Sequence, residues 1–166
     1  MTAPAQDDID MFVKAAGNGD ADAVRSFIDR YPACVDLLSK WGMCALVDAA
    51  WNGEVKIVEF LLSRGANIDI VNNDGHTPLM AAAIGGEASV ARLLLERGAR
   101  ADLHDKRNRT ARMLAEEWHN AAVLDMIDTY VTVSEANAKA AAHAKVIEDA
   151  LRRRKSTPSF GKGPKK

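Results

Sequence analysis

Apolar and polar positions follow helical spacing most clearly over residues 74–106, and the flanking residues repeat the pattern less completely. The pair Asp74-Gly75 predicts a turn. Thr77 begins a helix, because its hydroxyl can accept hydrogen bonds from free backbone amides and the proline after it is tolerated in the first turn. This alanine-rich helix ends at Gly86, and a second helix follows over about residues 87–97. The apolar face of the second helix carries Val90, Ala91, Leu94 and Leu95.

The same unit recurs at a constant interval of 33 residues. Equivalent positions in the turn and in the link between the helices hold Gly42, Gly75 and Asn108, and Gly53, Gly86 and His119. A period of this size is typical of stacked repeats, in which short helix pairs share a core that none of them could bury alone. With one residue inserted near Pro32, an earlier copy also emerges, so the sequence predicts four copies.

The third copy carries Gly-His-Thr-Pro-Leu at residues 75–79 and Leu-Leu-Glu-Arg-Gly-Ala at residues 94–99, and in these segments it resembles the ankyrin repeat. The resemblance covers roughly residues 8–130. It implies an all-α solenoid of paired antiparallel helices with projecting turns, used for protein recognition. About four helix-turn-helix repeats are therefore expected, at about residues 8–40, 41–73, 74–106 and 107–130.

The first and fourth copies have the features of terminal units, which pack against only one neighbour. The first copy lacks the turn motif, and residues 1–7 before it are expected to be disordered. In the fourth copy, Arg112 and Asp128 occupy positions that leucine holds in the middle copies. Polar residues at these positions predict that the stack ends there, so a fifth copy is not expected.

The composition changes after Tyr130. Ser134 can cap a C-terminal helix over about residues 131–151, whose methyl-rich face would dock only loosely. Residues 152–166 hold seven basic residues, no acidic residue, two prolines and two glycines, which is typical of a disordered tail. The run from Arg152 to Lys155 could contact nucleic acid, an anionic membrane, an import receptor or the acidic surface of the protein itself, or simply keep the chain soluble.

The composition, with 48% hydrophobic and 27% charged residues, is that of a soluble globular protein. No apolar stretch approaches the roughly 18 residues of a membrane-spanning helix, and the N-terminus lacks the pattern of a secretory signal. We therefore expect a cytoplasmic protein. Its 22 basic and 23 acidic residues nearly balance, but without the seven basic residues of the tail the count is 15 against 23. The repeats are thus expected to be acidic and the tail basic.

Groups that could carry chemistry are scattered along the chain. The four histidines are His76, His104, His119 and His143. None of them stands with a cysteine or a carboxylate at a metal-ligand spacing. Cys34 and Cys44 fit neither a metal pair nor a disulfide framework, and we interpret both as reduced thiols. The sequence therefore predicts no enzymatic activity, no metal and no cofactor.

The resemblance assigns recognition to the projecting turns and to the exposed ends of the first helices. Carried over residue by residue, the turn positions are Lys40, Trp41 and Met43, then Asn73, Asp74 and His76, then Lys106, Arg107 and Arg109. The helix-end positions include Trp51, Asn52, Ile84 and Trp118. All three tryptophans of the chain fall among these positions. A tryptophan left in water forgoes roughly 1.5 to 3 kcal/mol of burial, and tryptophan is enriched at binding hot spots.

These positions predict one composite surface on the concave side of the middle repeats. Its apolar strip would be Trp41, Met43, Trp51 and Ile84, and its basic end would be Lys106, Arg107 and Arg109. A partner segment with apolar anchors followed by acidic residues would suit such a surface. As an alternative, Trp41 and Trp51 could pack on each other or under the N-terminal segment, and Trp118 could cover the following helix.

The sequence therefore predicts a non-catalytic protein-protein interaction module, a scaffold or adaptor that binds a protein or peptide partner. Two alternatives stay open. The basic tail could bind nucleic acid or an anionic membrane while the repeats regulate it. The protein could also be a secreted effector of a host-associated microbe.

Overall fold

The computed structural model describes the backbone of residues 3–155 and the side chains of residues 3–148. Within this range the chain is all-α, and the predicted repeat solenoid is confirmed. Its helices are α1 (Gln6–Gly17), α2 (Ala21–Arg30), α3 (Ala45–Trp51), α4 (Val55–Ser63), α5 (Pro78–Gly85), α6 (Ala88–Glu96), α7 (Ala111–Glu117) and α8 (Ala121–Lys155). A short 3-10 turn, Pro32–Cys34, follows α2, and an isolated antiparallel bridge joins Leu38 to Cys44.

The helices of the repeats lie in two layers. Successive contacts join α1, α3, α5 and α7 in one layer, and α2, α4 and α6 in the other. The predicted apolar face of α6 is confirmed, because Val90, Ala91, Leu94 and Leu95 are all buried. The equivalent face of α2 is less complete, since Ala23 is exposed there. This difference fits a terminal repeat that has a neighbour on one side only.

Each projecting turn closes around a buried polar side chain that the sequence reading missed. Ser39, Asn72 and Asp105 lie 33 residues apart, three positions before Gly42, Gly75 and Asn108. Their side-chain oxygens accept hydrogen bonds from the amides four residues further on, at 3.2, 3.0 and 2.9 Å respectively. The signal for these positions in the sequence is their own 33-residue spacing, which matches that of the glycines and the apolar residues.

Neighbouring turns are joined by backbone hydrogen bonds. The amide of Asn73 donates to the carbonyl of Gly42 at 2.9 Å, and the amide of Lys106 donates to the carbonyl of Asp74 at 3.2 Å. These bonds fix each turn relative to the next one. The predicted turn positions of the second, third and fourth repeats therefore form one connected edge of the stack.

In the first repeat, which lacks a turn, the side chain of Asp10 in α1 takes over this role. Its Oδ1 accepts from the backbone amide of Lys40 at 2.8 Å, and its Oδ2 lies 3.1 Å from the Lys40 ammonium. Burial alone raises the pKa of Asp10, but the hydrogen bonds from Lys40 and Gln6 outweigh it and hold the pKa below its usual value. The connected edge thus begins at α1.

The two polar replacements in the fourth repeat pair with each other. The Arg112 guanidinium on α7 donates to both carboxylate oxygens of Asp128 on α8, at 2.7 and 3.1 Å, and also lies 3.4 Å from Glu116. This end of the stack therefore carries a charged surface in which opposite charges are matched, as a terminal repeat requires.

Two predicted boundaries are wrong. The C-terminal helix predicted over about residues 131–151 is part of a longer helix, because α8 is continuous from Ala121 to Lys155 and no glycine or proline interrupts that span. The N-terminal segment expected to be disordered is too long, since α1 begins at Gln6, with Asp7 and Asp8 favourably placed in its first turn. The chain divides into two units after Tyr130. Of the tail predicted to be disordered, residues 152–155 belong to α8, and residues 156–166 lie outside the described residues.

Two residues occupy the left-handed backbone region at positions where the other repeats have glycine. Asn108 has φ 60° and His119 has φ 58°, whereas Gly53 and Gly86, the equivalents of His119, both have φ 77°. A side chain with a Cβ costs roughly 1–2 kcal/mol in this region, and only glycine avoids that cost. The left-handed backbone conformation therefore recurs every 33 residues, even at the two positions where another residue replaces glycine.

We expect His119→Gly to raise the free energy of unfolding by about 1 kcal/mol, because it removes this conformational cost from an exposed residue. The measurement is the midpoint of urea unfolding followed by circular dichroism. His119→Ala is the matched control and should give no gain, since alanine keeps the Cβ. Equal stabilisation by both substitutions would contradict the explanation.

Candidate functional site

The structure brings the ends of α3, α5 and α7 and the turn before α7 around one cavity of about 270 Å³. Its apolar lining comes from Trp51, Ile84 and Trp118, which belong to three successive repeats. Its charged lining includes Lys106 and Arg107. We call this feature the two-tryptophan cavity. Eight of the predicted recognition residues line it: Trp51, Asp74, His76, Ile84, Lys106, Arg107, Arg109 and Trp118.

The predicted exposure of the three tryptophans is confirmed. The exposed fraction is 68% for Trp41, 38% for Trp51 and 55% for Trp118. The close ring pairs of the described residues involve Phe12, Phe27 and Tyr31, so Trp41 and Trp51 do not pack on each other. The alternative in which these two rings cover one another is therefore wrong.

Ile84 was predicted to be an exposed anchor, and this is wrong. It is buried, with an exposed fraction of 7%, because α5 belongs to a middle repeat and has α3 on one side and α7 on the other. Ile84 nevertheless lines the two-tryptophan cavity, so it forms part of the floor rather than of the rim. A buried floor between two exposed rings can receive a side chain from a partner.

The glycine after Ile84 lets the second and third repeats approach closely at this site. A Cβ on Gly85 would collide with the carbonyl oxygen of Trp51, so only glycine allows the end of α5 to lie against the end of α3. From the fourth repeat, the Asn120 amide donates to the carbonyls of Ala83 and Ile84 at 2.8 and 3.0 Å. These contacts fix the floor of the cavity from both neighbouring repeats.

The predicted apolar strip divides into two parts, because Trp41 and Met43 do not line the two-tryptophan cavity. Trp41 projects from the turn of the second repeat, with the Lys40 ammonium 4.4 Å from its ring centroid. Met43 is half-buried, and its sulfur lies 3.7 Å from the side-chain amide of Asn72. Lys40, Trp41 and Met43 therefore make a separate patch on the second turn.

The predicted basic end also divides. Lys106 and Arg107 are exposed and have no ion-pair partner among the described residues. The Arg109 guanidinium, in contrast, donates to Asp105 at 2.8 and 2.9 Å and to Glu117 at 2.8 Å, and its side chain is only 21% exposed. Arg109 holds the turn together, and the cations available to a partner at this site are Lys106 and Arg107.

Asp105 is the centre of this turn. Its side chain is 1% exposed and accepts from the amides of Arg107 and Arg109 and from the Arg109 guanidinium, and the His76 Nε2 lies 3.4 Å away. Burial alone raises the pKa of Asp105, but the hydrogen bonds from Arg109 and Arg107 outweigh it and lower the pKa below its usual value. His76, predicted to be a recognition residue, is half-buried against this carboxylate.

The remaining predicted residues have mainly structural contacts. Asn52 is exposed, and its side-chain amide donates to the Asp48 carbonyl at 2.9 Å, which closes the end of α3. Asn73 and Asp74 are exposed, and both use backbone groups to join neighbouring turns. Asp74 also lines the two-tryptophan cavity. It places a negative charge on the wall beside Lys106 and Arg107.

Among the described residues, no group of three or more histidine, cysteine or acidic side chains could hold a metal ion. Cys34 and Cys44 are not joined in a disulfide. Burial raises the pKa of Cys44 to about 11, so its thiol stays protonated at neutral pH and is a poor nucleophile. The chemistry that the two-tryptophan cavity can offer is apolar contact with aromatic rings next to two exposed cations and the exposed carboxylate of Asp74.

A stack of short helix pairs with connected turns and an apolar cavity across three repeats defines a solenoid repeat protein. The family model described as Ankyrin repeats (3 copies) matches residues 4–72 and 64–132, which is more than half of the chain. The chain therefore belongs to the ankyrin repeat family. Ankyrin repeats are generally protein-protein interaction modules and are typically non-catalytic.

A search of curated proteins finds no match to this chain. Within residues 3–155, none of the helices is both long enough and apolar enough to cross a membrane.

Proposed function

We propose that this protein binds a partner protein or peptide through the concave face of the repeats, with the two-tryptophan cavity as the main contact site. The cavity takes an apolar side chain of the partner between Trp51 and Trp118. Lys106 and Arg107 attract acidic residues that follow this anchor in the partner. The observation that carries the proposal is the meeting of two exposed tryptophans, from the second and fourth repeats, at one cavity with two cations that form no ion pair among the described residues.

The size of the cavity favours a side chain over a small-molecule ligand. Its volume of about 270 Å³ lies below the range of about 300–1,000 Å³ that is common for small-molecule pockets. A single apolar side chain of a partner fits a site of this smaller volume. Tryptophan rings suit this purpose, because they offer a large contact area and little conformational freedom is lost when they are fixed.

Preorganisation supports the same function. The turns of the second, third and fourth repeats are joined by backbone hydrogen bonds, and Asn120 fixes the carbonyl end of α5. The surface is therefore arranged before a partner arrives, and little ordering cost arises on the side of the repeats. A change in a partner-contacting side chain should then alter affinity without altering the fold.

The charges around the cavity give the proposed partner an orientation. Without the tail, the chain has 15 basic and 23 acidic residues, so its net charge is negative and disfavours an acidic peptide overall. Lys106 and Arg107 are exposed cations on this acidic body. A peptide with an apolar anchor beside acidic residues would therefore bind with its acidic end at the turn before α7.

The proposal can be tested with peptides selected from a random-peptide display library on the full chain. We expect the selected peptides to share an apolar anchor next to Asp or Glu. Their dissociation constants, measured by isothermal titration calorimetry, should rise about tenfold or more for Trp51→Ala and for Trp118→Ala. Lys106→Glu with Arg107→Glu should weaken binding most at low salt, because it removes the attraction of the acidic end.

Ile147→Ala is a control, since Ile147 is an exposed apolar residue on α8 outside the repeats. It should leave peptide affinity unchanged, and all variants should keep the melting temperature of the wild type. Trp41→Ala separates the cavity from the patch on the second turn: a smaller loss than for Trp51→Ala supports the cavity as the main site. Selected peptides that are basic, or that bind both cavity variants normally, would overturn the proposal.

A second candidate function rests on the charge of the tail, where residues 152–166 carry seven basic and no acidic residues. In this case the tail binds nucleic acid or an anionic membrane, and the repeats regulate or localise it. Binding to DNA, RNA or anionic vesicles that weakens steeply with salt, and that disappears when residues 152–166 are deleted, would favour this function. The cytoplasmic location, the scaffold or adaptor role and the alternative of a secreted effector stay predictions.

A further inference from the structure

The two ends of the stack have different surfaces. At the C-terminal end, Arg112 is paired with Asp128 and Glu116, so the charges are matched within the chain. At the N-terminal end, an open groove of about 690 Å³ lies along α1 and α2. This N-terminal groove is more than twice the volume of the two-tryptophan cavity and lies in a different repeat. The polar residues of this terminal repeat surround the groove, and its apolar residues form the interior of the groove.

The floor of the N-terminal groove is aromatic. Phe12 and Phe27 stack with ring centroids 4.2 Å apart, and Tyr31 lies 5.2 Å from Phe27. Beside this floor, Met11 has an exposed fraction of 71%, the highest of the large apolar side chains in the described residues. The same surface therefore has an apolar side chain that can insert into a partner and an apolar groove that can receive one. The exposed Met11 and the groove together are the candidate interaction surface at this end of the stack.

The rim of the groove carries charges of both signs in equal number: Asp8 and Asp20 are acidic, and Lys14 and Arg30 are basic. Within residues 3–148, none of these four side chains forms an ion pair. A partner with charge of one sign would leave half of the rim unmatched. A second copy, related by a two-fold axis, brings the same two acids and two bases and can match all four.

We propose that this surface binds a second copy of the chain, N-terminal end to N-terminal end, around a two-fold axis. Met11 of each copy inserts into the N-terminal groove of the other. The acidic rim residues of one copy face the basic rim residues of the other. The two-tryptophan cavity lies outside this interface, so the dimer presents two partner-binding sites. The inference does not depend on the proposed function.

Sedimentation equilibrium of the full chain over a wide concentration range tests the dimer. We expect a monomer-dimer equilibrium, and Met11→Lys should weaken dimerisation by at least about tenfold, because a charge replaces each inserted apolar side chain. Met113→Lys is the matched control: Met113 is also exposed but lies on α7 in the terminal repeat at the other end. It should leave dimerisation unchanged. A chain that is monomeric at all concentrations would overturn the inference.

Charge reversal gives a second test that does not depend on Met11. Lys14→Glu with Arg30→Glu makes the rim wholly acidic, and Asp8→Lys with Asp20→Asn makes it basic. The asparagine still caps α2, where Asp20 accepts from the Ala23 amide at 3.0 Å. Each variant should be monomeric alone, and the two should form a one-to-one dimer when mixed. Dimerisation of either variant alone, or no association on mixing, would show that this surface is not the interface.

Discussion

Replacing Asp105 with alanine is expected to lower the free energy of unfolding by about 3 kcal/mol. The carboxylate is 1% exposed and accepts hydrogen bonds from two backbone amides and from the Arg109 guanidinium. Without it, these donors lose their acceptor in the interior of the turn, and a guanidinium that is 21% exposed loses its main partner. The partial exposure of Arg109 keeps the expected loss at the low end of the range for buried ion pairs.

The preceding repeat supplies the control for this prediction. Asn72 occupies the equivalent position, and its Oδ1 accepts from the amides of Asp74 and His76 at 2.9 and 3.0 Å. Asp105→Asn should therefore keep the turn and lose only the charged contact with Arg109, at a cost of about 1 kcal/mol. The measurement is the free energy of unfolding of both variants, from equilibrium unfolding in guanidinium chloride. Equal losses for alanine and asparagine would contradict a role for the backbone hydrogen bonds.

The lowered pKa of Asp105 makes part of this stability depend on pH. Its folded-state pKa lies below the usual value of 3.8, so protons bind more weakly to the folded chain than to the unfolded chain. The stabilisation is complete above the unfolded-state value and is lost as the pH falls through the folded-state pKa. The stability difference between the wild type and Asp105→Asn should therefore be constant near neutral pH and shrink below about pH 4.

Leu94→Ala is expected to lower the free energy of unfolding by about 2–5 kcal/mol, because it leaves a cavity in the core beside α6. Leu94 has no exposed surface, and its helix belongs to a middle repeat that packs against neighbours on both sides. The rigid helices around it limit how far the cavity can collapse. In a stacked array the loss affects the interface with each neighbour as well as the repeat itself.

Leu38→Ala removes the same atoms from a residue that is 40% exposed, so it is a matched control with an expected cost below about 1 kcal/mol. Differential scanning calorimetry of the two variants and the wild type gives the comparison. If the melting temperatures of both variants fell equally, Leu94 would not have the core position that its burial indicates. A broadened transition would mean that the repeats no longer unfold together.

The sequence was sufficient for the repeat, and the residues that carry it show why. The turn glycines and the apolar faces are set by local backbone conformation and helical spacing, which act over a few residues. Their 33-residue period therefore survives even where the side chain changes, as at Asn108 and His119, which keep the left-handed conformation of the glycines they replace. The buried turn residues Ser39, Asn72 and Asp105 follow the same period, so they too were accessible from the sequence.

The helix boundary at Ser134 could not be settled in the same way. A serine is a good helix cap, but it is also tolerated on an exposed face in the middle of a helix. The composition change after Tyr130 marks where the chain divides into two units, and α8 passes through that point without a break. Composition indicates whether a helix packs against other helices. Where the helix begins and ends depends instead on whether its backbone hydrogen bonds continue.

For the candidate site, the sequence predicted a set of turn and helix-end positions, and the three tryptophans among them are exposed whereas Ile84 is not. The tertiary structure alone decided that Trp51 and Trp118 share a cavity while Trp41 lies outside it, and that Ile84 forms a buried floor. It also decided that Arg109 is held by Asp105 and Glu117, which leaves Lys106 and Arg107 exposed. The physical reason is that a repeat period fixes the position of each backbone segment, whereas burial and ion pairing depend on side chains that different repeats bring together.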